Sequence, residues 1–112
     1  MDASPLDRGV RVALTTAPDA EAAARIARVL VEERVAACAN LVPQVRSIYR
    51  WQGRIEDDSE VLLVIKTRAD RVDALAARLR ALHPYEVPEL VVLRVESGLD
   101  AYLDWVRAET AP

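Results

Sequence analysis

Val10, Val12 and Leu14 alternate with Arg11, Ala13 and Thr15, the two-residue period of a β-strand. Thr16-Ala17-Pro18-Asp19 then opens a helix, with proline in its first turn and an early acid. Ala23, Ile26, Ala27 and Leu30 form its apolar face. Glu21–Arg25 and Arg28–Glu32 are i,i+4 ion pairs on its wet side, worth a few tenths of a kcal/mol each. A second strand is predicted over about residues 37–51, interrupted by Pro43, which in a sheet means an edge or a bulge. Gln52-Gly53 makes a turn into a third strand, Ile55 to Thr67. Asp70 and Asp73 are predicted to cap a second helix whose apolar face is Val72, Leu75, Leu79 and Leu82, and Pro84 stops it. Glu89 to Val95 reads as a fourth strand. Ser97 and Asp100 resemble a capping box for a last helix carrying Leu99, Tyr102, Leu103, Trp105 and Val106.

The order is βαββαβ plus a terminal helix. That is an α+β chain of the split βαβ, or ferredoxin-like, kind, with four antiparallel strands and two helices on one face. Residues 1–8 read as a flexible N-terminus and 9–110 as one domain.

The second strand is too long for its domain. About fifteen residues at ~3.4 Å each reach roughly 50 Å, against a radius of gyration of about 13 Å. The hairpin of strands two and three must overhang, carrying Ile48, Tyr49, Trp51 and Ile55 into water. Val61 to Ile65 and Leu90 to Leu93 are apolar on both faces, yet the two helices cover only one. More copies of the chain are the simplest cover, with Ile48, Tyr49 and Trp51 as contacts. The alternative is that the terminal helix covers that face alone.

Composition narrows the function classes. A net charge of −3 with both signs scattered, and no basic stripe, argues against nucleic acid as a partner. The longest apolar run, Val61 to Ile65, is far too short to span a bilayer. One cysteine excludes an internal disulfide and suits a reducing compartment. With no apolar stretch near the N-terminus, a cytoplasmic location is expected. The one histidine assembles no Ser-His-Asp constellation, and the isolated glycines make no phosphate loop, so no enzyme is expected.

The remaining chemistry centres on the run His83-Pro84-Tyr85-Glu86-Val87-Pro88-Glu89. Its prolines restrict the backbone, and it presents an imidazole with two carboxylates, groups able to hold a cation or small polar ligand. His83 and Glu86 are therefore candidate metal ligands. The alternative for His83 is that it complements the end of the second helix. Cys38 is a soft ligand when ionised, or a small packing residue among alanines. Parallel strands one and two place Cys38 and His83 at opposite ends of the domain, so they form separate candidates. Thr15, after strand one, lies at the His83 end and joins Tyr85 and Glu89 as a candidate ligand pocket. Tyr49, Trp51 and Tyr85 either line such a pocket for a planar ligand or fill a subunit interface.

Four stretches carry a resemblance: Ala36 to Asn40, Ser47-Ile48-Tyr49-Arg50-Trp51-Gln52-Gly53-Arg54-Ile55-Glu56, the His83 run, and Tyr102-Leu103-Asp104-Trp105. Together, in order, they resemble the CutA family of divalent-cation tolerance proteins over about residues 10–108. The resemblance implies a tight homotrimer locked by the long hairpin and an architecture like the trimeric PII signalling proteins. It also implies response to metal ions and binding of Cu(II) or another divalent cation. In some members a cysteine stands at the position of Thr15 and a second histidine at that of Leu82. Here only His83 of that set remains, which implies weak copper binding through His83 and carboxylates such as Glu86 or Glu89. Two other functions stay open: a PII-like regulator binding a small ligand between subunits, and a stable trimeric scaffold for a protein partner.

Overall fold

The computed structural model describes residues 8–112. Apart from Arg8, the expected flexible N-terminus lies outside the described residues. The elements run β1 Val10–Ala17, α1 Ala20–Glu32, β2 Cys38–Trp51, β3 Arg54–Arg68, a 3-10 turn Ala69–Arg71, α2 Val72–Leu82, β4 Val91–Arg94 and α3 Asp100–Glu109. The strands form one sheet in the order β2-β3-β1-β4, and every neighbouring pair is antiparallel.

The two-residue period sorts the sheet into two faces. Ala13 and Ala17 of β1 and Val61, Leu63 and Ile65 of β3 pack beneath Ile26 and Leu30 of α1 and Leu75 and Leu79 of α2. The other set, Val12, Leu14, Leu62 and Val64, is only half-buried. Val91 and Leu93 of β4 are in register with Leu14 and Val12 and share this open face, at 47% and 48% exposure. The terminal helix does not cover it: α3 buries Val106 alone, against Val10 and Ala37 at one end of the sheet.

The long hairpin overhangs as its length requires. β1 pairs with β3 only over Val61–Arg68, so residues 54–60 of β3 and 45–51 of β2 have no third strand beside them. The molecule is accordingly elongated, 42 × 27 × 26 Å. β2 is an edge strand and also carries a bulge between Val42 and Val45, where Pro43 cannot donate to the ladder and Gln44 takes a positive φ of 61°.

The helix starts depart from the sequence pattern. The helix at Thr16–Asp19 opens as expected but later: Asp19 is the cap of α1, accepting from the Ala22 N–H at 2.8 Å, and Pro18 precedes the cap instead of lying in the first turn. Asp70 does not cap α2; its carboxylate forms a bidentate pair with Arg68 at 2.7 and 2.8 Å, and a 3-10 turn leads into the helix instead. Nor do Ser97 and Asp100 form a capping box, because α3 starts from Leu99 without a side-chain cap. Neither Glu21–Arg25 nor Arg28–Glu32 is among the ion pairs of the described residues; at the end of α1, Glu33 reaches Arg78 of α2 instead. The fourth strand is shorter than predicted, Val91–Arg94, since the segment from Pro88 lies outside the ladder.

Candidate functional site

The site is built where α2 ends. The His83 N–H closes the helix onto the Leu79 carbonyl at 2.9 Å. His83 then turns extended, φ −78° and ψ 137°, as a residue before proline must. The turn sends its ring toward the end of β1, where it is 8% exposed. Nε2 lies 2.7 Å from the Thr16 carbonyl, and Nδ1 accepts the Tyr85 backbone N–H at 3.1 Å. A carbonyl can only accept, so Nε2 carries the hydrogen and both ring nitrogens are engaged. His83 thus ties the loop after α2 to the last turn of β1. A metal would have to break one of these bonds to reach it.

Tyr85 continues the chain of contacts. Its ring lies 4.7 Å from that of His83, tilted by 48°. Its hydroxyl donates to Glu60 Oε2 at 2.6 Å. Glu60 is 7% exposed. Burial, the bond to Glu60 and the negative charges of Glu60 and Asp58 together push the Tyr85 phenol well above its usual range. On the hairpin, Tyr49 donates to Asp58 at 2.6 Å, and this bond with the surrounding carboxylates pushes its phenol up to about 12.

These groups line a cleft of about 610 Å³ between the loop after α2 and the overhanging hairpin, from its root at Glu60 to its turn at Gln52. Its lining is Thr16, Ser47, Tyr49, Trp51, Gln52, Glu60, Pro84, Tyr85, Glu86, Val87 and Glu89. The size suits a small molecule. Three lining residues are carboxylates and none is lysine, arginine or histidine. Thr16 is in register with Leu62, two residues from Glu60, so the cleft lies on the open side of the sheet.

Tyr85, Glu86 and Glu89 are brought together in the cleft, with Tyr49 and Trp51 across from them. Thr15 is not in the lining: it points to the helix face, fully buried, and its Oγ1 has no hydrogen-bond partner. Leu82 packs partly buried against the core. Ile48 stands out from the hairpin at 64% exposure. Cys38 is half-buried rather than enclosed, and its Sγ lies 3.6 Å from the Tyr102 hydroxyl. It is in register with Lys66, which pairs with Val12, four residues before Thr16. Cys38 and His83 therefore do not share a site. Among the described residues no three of His, Cys, Asp and Glu gather closely enough to hold a metal ion.

Glu60 and Thr16 were missed from sequence. The available signal was the period of two in Glu56, Asp58 and Glu60, a row of acids on one face of β3.

A family model described as CutA1 divalent ion tolerance protein matches residues 11–109. Protein CutA of Homo sapiens is 52% identical over 101 residues, which is 90% of this chain but 56% of that protein. The chain thus spans little more than half the length of this relative. The divalent-cation tolerance protein CutA of Thermus thermophilus is 52% identical over 99 residues, covering 88% of this chain and 96% of the relative. The solved structure of a divalent cation tolerance protein from the same organism superposes with a TM-score of 0.89 at 50% identity, covering 91% of this chain and 99% of the other. Other relatives are named chloroplastic, from Arabidopsis thaliana, and periplasmic, from Archaeoglobus fulgidus.

Proposed function

Because this chain belongs to the CutA1 family of divalent ion tolerance proteins, we propose that it acts in divalent-cation tolerance as a homotrimer without catalytic activity. The observation that carries the reading is the cleft, which has carboxylates from Glu60, Glu86 and Glu89 and no cationic lining residue. Such a cleft concentrates cations. A cytoplasmic location is part of the proposal, supported by the one cysteine and by the lack, among the described residues, of any helix long and apolar enough to cross a membrane.

The βαββαβ order with this strand arrangement supports a ferredoxin-like subunit. Apolar side chains on the open face and the unsupported hairpin support a PII-like trimer with Ile48, Tyr49 and Trp51 in its contacts.

The residues of one chain do not fit a tight copper centre. The His83 nitrogens are both engaged, Cys38 lies in register with the other end of β1, and Thr15 and Leu82 supply no soft ligand. A cation would be held by Glu86 and Glu89 with groups from a neighbouring copy, weakly and with little preference among divalent ions. Calorimetric titration with Cu(II) and Zn(II) tests this. Binding should fall when Glu86 and Glu89 are both changed to glutamine. Tight copper binding that survives this change and is lost in Cys38→Ser would move the site to Cys38.

A second reading is favoured by the volume and aromatic walls of the cleft: a regulatory trimer that takes a small ligand there. A scaffold for a protein partner has no comparable feature behind it.

A further inference from the structure

We infer that the cleft between the overhanging hairpin and the loop after α2 is a site for a small organic cation, one bearing an alkylammonium, quaternary ammonium or guanidinium group. The inference rests on the second reading above, of the cleft as a ligand site, and names the chemistry of the ligand.

Glu60 carries most of the argument. It is 93% buried by its 7% exposure, and its described hydrogen bond comes from a neutral phenol at 2.6 Å. A carboxylate can accept about four hydrogen bonds, and a buried one is ordinarily matched by a cation. None of the residues lining the cleft provides one, and Glu86 and Glu89 add further negative charge. The walls supply a second, independent preference. Tyr49, Trp51 and Tyr85 all face this space, and indole and phenol rings attract cations over their faces while also burying alkyl carbon. Carboxylates and aromatic rings around one cavity are the combination that holds an organic cation.

The same inventory disfavours other ligands. A phosphate or nucleotide would meet three carboxylates without any cationic lining residue. A bare divalent ion needs six or so oxygens, and since no three His, Cys, Asp or Glu groups converge among the described residues it would be held only weakly and with groups from a second copy. The Tyr85 phenol is raised first by burial and the Tyr49 phenol first by its bond to Asp58, and the carboxylates of Asp58 and Glu60 add to both.

The test is calorimetry on the full chain with choline, agmatine and benzylamine, beside dimethylbutanol as the uncharged isostere of choline, ATP and Cu(II). At least one organic cation should bind about tenfold or more tightly than the neutral isostere, and Glu60→Gln should weaken it by about tenfold. Should Glu60→Gln disturb folding, the double change Glu86→Gln with Glu89→Gln on the exposed loop should still weaken it several-fold. Added salt should do the same. Equal binding of choline and its isostere overturns the proposal. Binding of ATP alone overturns it and leaves the ligand-cleft reading standing. Saturable Cu(II) binding with no organic ligand of either sign overturns both and leaves cation tolerance standing.

Discussion

His83 works through both of its ring nitrogens, and each holds a backbone group. One side takes the Thr16 carbonyl of β1 and the other the Tyr85 N–H of the loop. His83→Ala leaves both groups without a partner and opens a small cavity beneath the loop. The expected cost is about 2–4 kcal/mol, read from urea melts in metal-free buffer. Full stability in that buffer would return His83 to the role of a free ligand. Thr15 is the opposite case, a buried hydroxyl with nothing to bond. Thr15→Val should be neutral or stabilise by about 1 kcal/mol by the same melts, because it removes an unmet polar group at nearly constant volume. The sequence pointed to Thr15 for the cleft, and the structure puts Thr16 there. Strand side chains alternate, so a slip of one residue exchanges core for cleft, and nothing in Thr15-Thr16 itself marks which is which. Burial of Tyr85 together with the acids on β3 sets an alkaline dependence. The Tyr85 and Tyr49 phenols are raised, so their neutral, hydrogen-bonded forms favour the fold. This contribution is fully present below the ordinary phenol value of about 10 and is lost as pH rises from there toward the folded values. Tyrosinate absorbance should therefore appear late in the native protein, and earlier in Glu60→Gln. Unchanged onset in that variant would remove Glu60 as the cause.

Element by element, the apolar period and the Pro43 and hairpin-turn positions agree with the structure, and the expected side-chain caps and ion pairs of the later helices do not. Apolar periodicity marked β1 as a strand and picked out both buried helix faces, but not which side of β1 meets the helices: Ala13, Thr15 and Ala17 do, while Val12 and Leu14 lie on the open face. Pro43 marked the bulge because its missing N–H is a local fact. The caps were not legible in this way. Asp70 is a good capping residue by type, but Arg68 lies two positions away in sequence and captures its carboxylate. Glu33 goes to Arg78, forty-five residues on, a choice made by how α1 and α2 pack. Glu33–Arg78 and, on the hairpin, Asp57–Arg46 at 2.7 Å are the exposed pairs that set a weak acid dependence. Arg78 and Arg46 hold Glu33 and Asp57 below the usual carboxylate range, so their contribution is present above that range and fades as pH falls through it. The hairpin turn is set locally. Gln52 and Gly53 both take positive φ, 51° and 79°, which a two-residue turn between twisted strands requires. Gly53→Ala should cost about 1 kcal/mol in a thermal or urea melt. The whole cost is backbone strain, since a Cβ there would meet nothing within 4 Å.

At the scale of the whole molecule, one feature of the chain is unresolved within a single copy. Ile48 and Ile55 at the hairpin are 64% and 62% exposed, and the open face adds Val42, Val91 and Leu93. A hairpin of two strands is marginal in water without a third strand or a packed face, and residues 45–51 and 54–60 have neither within the chain. The trimer proposal supplies both, and it makes the assembly state depend on the hairpin rather than on the helices. Light scattering at micromolar concentration should give three times the 12.4 kDa chain mass. Trp51→Asp should cripple assembly, because it would place an unpaired carboxylate at a subunit contact already bordered by the acids of β3. Arg28→Asp, on the exposed outer face of α1, should leave assembly intact. The pair of variants separates a specific hairpin contact from a general loss of stability. If Trp51→Asp remains fully trimeric, the hairpin does not hold the copies together. If wild type itself scatters as a monomer, the apolar face is covered by something other than this chain.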